Sequence, residues 1–247
     1  MTPGTLRVTV VGAGGLGGPI ALALGRAAVA RLEIAPRLEI TIVDPDVVEL
    51  SNLHRQTQFT AADLGQPKAL RLAAAVVAGG GTARGLVAAW QPARADDLGG
   101  AADLIVDASD APVTKFGVAD WAVANGRPYV IAAALRYGGN VMAGAPGVAC
   151  YRCLFEEPAE APSCADAGVL GPVVGAIGGV AAALALGLIH GDRTYAGALL
   201  AFDDLRTVAS PRVVRFAPRP GCPACAMAPI SPFASRGAAP VRKAEGA

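Results

Sequence analysis

Histidine is nearly absent from this chain: His54 and His190 are the only two in 247 residues. No Ser-His-Asp or Cys-His constellation can be assembled around them, and His54 reads as a neighbour of Arg55 rather than as a base. An excess of one charge is missing as well. The formal net charge is +1, so electrostatics recommends neither nucleic acid nor an anionic membrane as a partner. Five cysteines in a chain this long do not form the dense disulfide framework of a small secreted domain. A signal peptide is not recognisable, because Met1 to Arg7 lacks a basic region and VTVVGAG is too short for an apolar core segment. The expected location is the cytoplasm. No internal repeat is visible.

What remains is an apolar chain, 53% hydrophobic, with core enough for a sheet covered on both faces. Its length suits one large α/β domain, expected over residues 1–230, with a disordered tail over 231–247 rich in small and charged residues. Strands are expected at Arg7–Val11, Leu38–Val43, Leu86–Trp90, Asp103–Val106, Tyr129–Ala134 and Asn140–Ala143. Helices are expected at Leu16–Val29, from Gln66-Pro67 through LRLAAAVVA, and at Val113–Asn125. Strand and helix alternate, which predicts an α/β fold with a doubly wound, mostly parallel, Rossmann-like sheet. After Cys150 the texture changes to an acidic, proline-containing loop, a long apolar helix and a late strand pair near Ala198–Phe202 and Val213–Phe216. Val169–Ile189 carries no charge and has the length of a membrane span. Its many glycines and alanines, and the lack of anchoring residues on both flanks, suit a helix buried against close neighbours instead.

Two segments carry the chemistry. Gly12-Ala13-Gly14-Gly15-Leu16-Gly17 satisfies G-x-G-x-x-G between an expected strand and an expected helix. Such glycines allow a tight turn and close approach of a phosphate, and the helix N-terminus offers unpaired N–H groups to it. About thirty residues on comes DPDVVELSNLHRQ. Asp44 is the expected partner of ribose hydroxyls, the alternative being a turn aspartate. Asn52 and Arg55 follow, and Lys68 sits in the first turn of its helix, where the macrodipole opposes a cation by about 0.3–1 kcal/mol. A nearby phosphate reverses that preference; the alternative is a solvated lysine that tolerates it. Asp107 and Asp110 follow a strand at the edge where ligands gather. A carboxylate there can hold Mg²⁺ against a triphosphate, although Asp107 reads more readily as a cap for the next helix. Cys150-x-x-Cys153 and Cys222-x-x-Cys225 supply four thiolates, enough to close a structural zinc site that staples the C-terminal segment to the domain. Free buried thiols or one redox pair are the alternatives. Cys164 is left over, either an exposed thiol of lowered pKa or an inert small residue.

GAGGLGGP, DPDVVELSNLHRQ, GQPK, VDASD, CYRCLF and CADAGVLGPVVGAIGG, in that order over Arg7 to Cys225, resemble the blocks of the ubiquitin-activating-enzyme-like adenylyltransferases of the ThiF/MoeB/HesA type. The resemblance implies Asp44 on the ribose of ATP, with Asn52, Arg55 and Lys68 at its phosphates. It also implies Asp110 as a Mg²⁺ ligand, zinc on the four paired cysteines, and Cys164 as a thiol used by some members in thioester or sulfur transfer. The implied partner is a small sulfur-carrier protein ending in Gly-Gly, and the implied assembly a homodimer, with no nucleic acid or membrane. A carboxylate nucleophile is already anionic, so the missing histidine base is expected. Three departures stand out. Six residues precede Arg7 where relatives carry an arginine-bearing helix, Ala111 follows Asp110 where asparagine is usual, and Lys115 stands where arginine is common. The competing readings are a zinc-stabilised scaffold that binds nucleotide or carrier without turnover, and an NAD-dependent oxidoreductase. The oxidoreductase explains only the glycine loop and Asp44. A relative that dehydrates a modified tRNA base is disfavoured by the cysteine pairs and the near-neutral charge.

Overall fold

The structure, a computed structural model, describes residues 4–29, 37–158, 168–207 and 210–226. Eight strands form one sheet in the order β3-β2-β1-β4-β5-β6-β7-β8. They are β1 (Leu6–Val11), β2 (Leu38–Val43), β3 (Thr82–Leu86), β4 (Leu104–Asp107), β5 (Tyr129–Leu135), β6 (Gly138–Gly144), β7 (Ala198–Phe202) and β8 (Arg212–Arg215). The first five run parallel, and β6, β7 and β8 continue the sheet antiparallel. The doubly wound, mostly parallel sheet with late antiparallel strands is therefore as expected. The order reverses between β1 and β4, the switch point where an open α/β sheet leaves a crevice at its carboxyl edge.

One face of β1 and β2 is apolar: Val8, Val10, Leu38, Ile40 and Ile42 are buried together with Ile20, Leu24, Leu72 and Val76. The last four come from helices α1 (Gly17–Val29) and α2 (Lys68–Ala78). Each such aliphatic side chain removed from water is worth about 1.5–3 kcal/mol. The second face is covered by α3 (Ala95–Gly99) and α4 (Pro112–Ala124), and its core of Trp90, Ile105, Phe116, Trp121 and Tyr129 lies mainly over β4 and β5. Over β1, β2 and β3 that face is polar. Arg7, Thr9, Glu39, Thr41, Thr82 and Arg84 line a cleft of about 370 Å³ there, towards the amino ends of the strands and away from the glycine loop.

That open face explains one correction. The third strand is Thr82–Leu86, not Leu86–Trp90. As an edge strand with one solvated face it reads T-A-R-G-L, whereas the more apolar stretch beyond it is extended loop, with Val87 exposed. The Val169–Ile189 stretch forms α6 (Gly171–Ile189), long and apolar enough to cross a membrane by length and composition. Its Val174, Ile177, Ala181, Ala182 and Ala185 are buried in the core shared with α1, β5 and β6. Gly178 lets α6 approach α1, since a Cβ there would lie 2.7 Å from Pro19 Cγ. Its outward side exposes Pro172, Gly175, Ala176, Gly179 and Ala183. The expected tail over 231–247 lies outside the described residues.

Candidate nucleotide site and cysteine cluster

The strands β1, β2 and β4 end side by side and tie their exits together. Gly12 N donates to Val43 O at 2.8 Å, Ala108 N to Val11 O at 2.8 Å, and Asp44 N to Leu86 O at 3.1 Å. Gly12 turns with φ +96°, and a Cβ on it would come within 2.8 Å of Ala108 O. A Cβ on Gly17 would collide with Gly12 O. These two positions need glycine for steric reasons alone. The result is a tight turn into α1 that leaves the N–H groups of Gly14 and Gly15 without a partner among the described residues.

Asp44 is buried at the end of β2 and accepts Ala13 N at 2.6 Å and Asp46 N at 2.8 Å, one on each carboxylate oxygen. It thus couples the glycine loop to the DPDVVELSNLHRQ loop. Burial raises its pKa above 3.8, against the two backbone bonds and the nearby Lys68 charge. The second loop closes on itself through Lys68 N to Asp46 O at 2.9 Å and Val48 N to Gln66 O at 2.9 Å. Lys68 lies in the first turn of α2, as expected, as its first residue, and its Nζ reaches Asp46 Oδ2 at 3.0 Å. The cation at the unfavourable helix end therefore has a carboxylate neighbour. Arg55 Nη1 donates to Ser51 O at 3.2 Å and lies 3.2 Å from His54 Nε2. The Arg55 backbone lies beside Gly15, and His54 O lies beside Gly171 at the start of α6. Asn52 and Gln56 are buried, and Asn52 Oδ1 and Gln56 Oε1 have no hydrogen-bond partner among the described residues. Buried acceptors without donors cost about 1–3 kcal/mol each, and in a cleft they mark a place for a ligand or water.

Asp110 is exposed just before α4 and has no side-chain partner among the described residues. Asp107 requires a correction. The helix is capped by Ala111, without a side-chain bond, and Asp107 is not its cap. Asp107 is fully buried and receives Lys115 Nζ at 2.8 Å and Ser109 Oγ at 2.7 Å. Lys115 also donates to Ser109 O and Ala132 O, both at 2.7 Å. Burial holds the Asp107 carboxyl above the ordinary range while the Lys115 charge opposes that shift. The pair therefore pins the loop from which Asp110 projects. Gln58, which no motif singles out, bonds the glycine loop: its Nε2 donates to Ala13 O and Gly14 O at 3.0 Å each.

The two CxxC pairs converge on each other. Cys150 and Cys153 lie at the start of α5 (Tyr151–Phe155), and Cys222 and Cys225 follow β8. Their four Sγ atoms lie within 4.8 Å of one another. Neighbouring sulfurs are 3.4, 3.6 and 3.7 Å apart. A tetrahedral ion with bonds of about 2.3 Å separates its sulfurs by about 3.8 Å, so the donor set fits one metal of zinc's size. Arg219 N donates to Cys153 Sγ at 3.3 Å, a bond suited to a thiolate. Cys164 lies outside the described residues. The chain re-enters at Gly168–Leu170, held to Arg136 by Arg136 N to Gly168 O and Leu170 N to Arg136 O.

The ThiF family model matches residues 4–224. The chain belongs to the ThiF family. It is 39% identical over 234 residues to the sulfur carrier protein adenylyltransferase of Thermus thermophilus, covering 88% of this chain and 81% of that protein. It is also 39% identical over 235 residues to the adenylyltransferase and sulfurtransferase MOCS3 of Sus scrofa, covering 91% of this chain and 49% of that one. The chain thus spans about half the length of the MOCS3 relatives it matches. Among solved structures, Escherichia coli MccB with ATP superposes with a TM-score of 0.74 at 18% identity, over 89% of this chain and 66% of that one. At that identity the likeness speaks for the fold alone.

Proposed function

We propose that this ThiF-family protein adenylates the C-terminal glycine carboxylate of a small ubiquitin-like sulfur-carrier protein, using Mg·ATP and releasing pyrophosphate. The observation that carries the reading is the convergence at one sheet edge of the glycine loop, whose Gly14 and Gly15 N–H groups have no partner among the described residues, with the Arg55 and Lys68 cations. The likeness to the Thermus thermophilus sulfur carrier protein adenylyltransferase supports the substrate class. Asp44 takes the ribose, the Gly14 and Gly15 N–H groups with Asn52, Arg55 and Lys68 take the phosphates, and Asp110 would hold Mg²⁺, which supplies charge neutralisation. The attacking carboxylate needs no base. Its oxygen forms the new bond to the α-phosphorus as the bond to pyrophosphate breaks, and positioning with cationic stabilisation carries the step.

The reading extends to zinc on Cys150, Cys153, Cys222 and Cys225 as a closed structural site, to Cys164 as the thiol for a later transfer step, and to a cytoplasmic homodimer. The exposed small-residue side of α6 supports an assembly of copies, because small side chains allow close helix approach. Near-neutral charge supports a protein rather than a nucleic-acid partner.

The test is ATP–pyrophosphate exchange with candidate carriers ending in Gly-Gly. Carrier-dependent exchange that is lost in Arg55→Ala and Asp110→Ala is the expected result. ATP binding without exchange points to the scaffold instead, and NADH binding without ATP binding removes both readings.

A further inference from the structure

We infer that Gln58 is a positioning residue, whose carboxamide grips the carbonyls of Ala13 and Gly14 and so turns the Gly14 and Gly15 N–H groups towards the phosphates of a bound nucleotide. The inference rests on the reading of the glycine loop as the ATP site. In a trans peptide the C=O of one residue and the N–H of the next point in opposite directions. Fixing the carbonyls of Ala13 and Gly14 therefore fixes the N–H vectors of Gly14 and Gly15, the two donors without a partner among the described residues. Gln58 Nε2 makes both contacts at 3.0 Å; it is the one donor to Ala13 O among the described residues, and it shares Gly14 O with Gly18 N, also at 3.0 Å. Asp44 fixes the neighbouring N–H, that of Ala13, at 2.6 Å. Each side of the turn is thus held by one side chain, a carboxylate on the donor side and an amide on the acceptor side.

Two further observations separate this arrangement from incidental packing. Gln58 Oε1 is buried and has no partner among the described residues, so the amide bonds the loop at the expense of its own acceptor. The structure also makes room for it: a Cβ on Gly18, in the first turn of α1, would overlap the Gln58 carboxamide. Glycine at this position leaves room for the amide that even the smallest side chain would take away. Gln56 lies on the same side, its Nε2 3.5 Å from where a Gly14 Cβ would sit and its Oε1 unpartnered. The two glutamines therefore flank the loop in different ways: one grips its carbonyls, and the other leaves an acceptor open beside it.

The action of Gln58 is geometric, because the side chain carries no charge and is separated from the phosphates by the loop itself. Gln58→Leu keeps the volume and removes the donor. Calorimetric titration of the full chain is expected to show ATP binding weakened about tenfold, equivalent to ~1.4 kcal/mol. Adenosine, which has no phosphate, should shift by less than about twofold. Gly18→Ala displaces the amide without removing it, at the far end of a flexible side chain, and should reproduce the ATP-selective loss. In a Gln58→Ala background, Gly18→Ala should cost no further ATP affinity. Unchanged ATP binding in both single variants overturns the inference. Equal losses for ATP and adenosine overturn it too, by making Gln58 a general fold residue. A wild-type protein that fails to bind ATP overturns the reading of the loop as well, whereas wild-type binding with an indifferent Gln58→Leu overturns this inference alone.

Discussion

Lys68 and Lys115 stand at two corners of the same sheet edge, each within 3.0 Å of an aspartate, and their surroundings differ. The side chain of Lys115 is 8% exposed and that of Asp107 0%. Its ammonium has three acceptors, Asp107 Oδ2, Ser109 O and Ala132 O, one for each proton. Lys68 is as buried, at 9%, but its partner Asp46 is 62% exposed. Asp46 Oδ2 is the single acceptor of its Nζ among the described residues. A saturated ammonium sealed from water cannot change partners without leaving a charge unmatched. An ammonium with open donors beside a solvated carboxylate can exchange it for a phosphate at little cost. Burial alone does not separate the two cations; the count of satisfied protons does.

The comparison is broken most forcibly at Lys115. Lys115→Met leaves Asp107 buried without its counter-charge, and removal of one member of such a pair costs about 3–5 kcal/mol. For a domain of this size each kcal/mol lowers the melting temperature by roughly 2–4 °C, so scanning calorimetry should show a fall of about 6–20 °C. Substituting Asp107→Leu in the same chain should restore much of the loss, because an apolar pair avoids the desolvation cost. A fall below about 3 °C would mean that the pair is not sealed. Lys68→Met is expected to behave in the opposite way. Asp46 returns to water, so stability should change by no more than about 1 kcal/mol. Carrier-dependent exchange should fall by about 10²–10³, the usual loss when one preorganised charge-stabilising donor is removed. A stability loss matching that of Lys115→Met, with exchange intact, would reverse the assignment of the two lysines.

The same contrast shows what could be read from residues alone. β1, the glycine turn and α1 were legible because each obeys a local rule: an apolar run, G-x-G-x-x-G, a helical period. The cysteine cluster was legible across 72 residues because each half carries its own C-x-x-C spacing. The position of Asp107 just ahead of a helix suggests a cap, since capping is inferred from neighbours, whereas its true partner Lys115 arrives from within that helix. β3 is hard to place from residues because it is only partly covered, so its hydrophobic signal is weaker than that of the loop after it. Gln56 closes the DPDVVELSNLHRQ block with no role of its own attached, and Gln58 lies outside every block. Amides form no spacing motif, and their roles follow from orientation against the Ala13 and Gly14 backbone, which only the folded chain supplies.

A third ion pair extends the comparison outward. Asp63 closes a capping box ahead of α2, accepting Thr60 N at 2.8 Å and Thr60 Oγ1 at 3.0 Å, and it receives Arg71 Nε at 2.5 Å. Its side chain is 9% exposed while that of Arg71 is 46% exposed, so the cation is solvated rather than the anion. The Thr60 N–H, followed by the Thr60 hydroxyl and Arg71, lowers the Asp63 pKa below 3.8 in spite of burial. A depressed folded pKa means stability that is fully present above the unfolded value and lost as pH falls through the folded one. Asp44 and Asp107, with raised pKa values, contribute in the opposite sense: their share is present below 3.8 and lost as pH rises. Asp63→Ala should therefore cost about 1 kcal/mol at pH 7, the usual worth of a cap. In denaturant titrations run downward in pH, that cost should shrink below about pH 3.8, as the wild-type carboxyl protonates and releases its donors. A cost that stays constant from pH 7 to pH 3 would make Asp63 a packing residue, and the graded series of pairs would lose its outermost member.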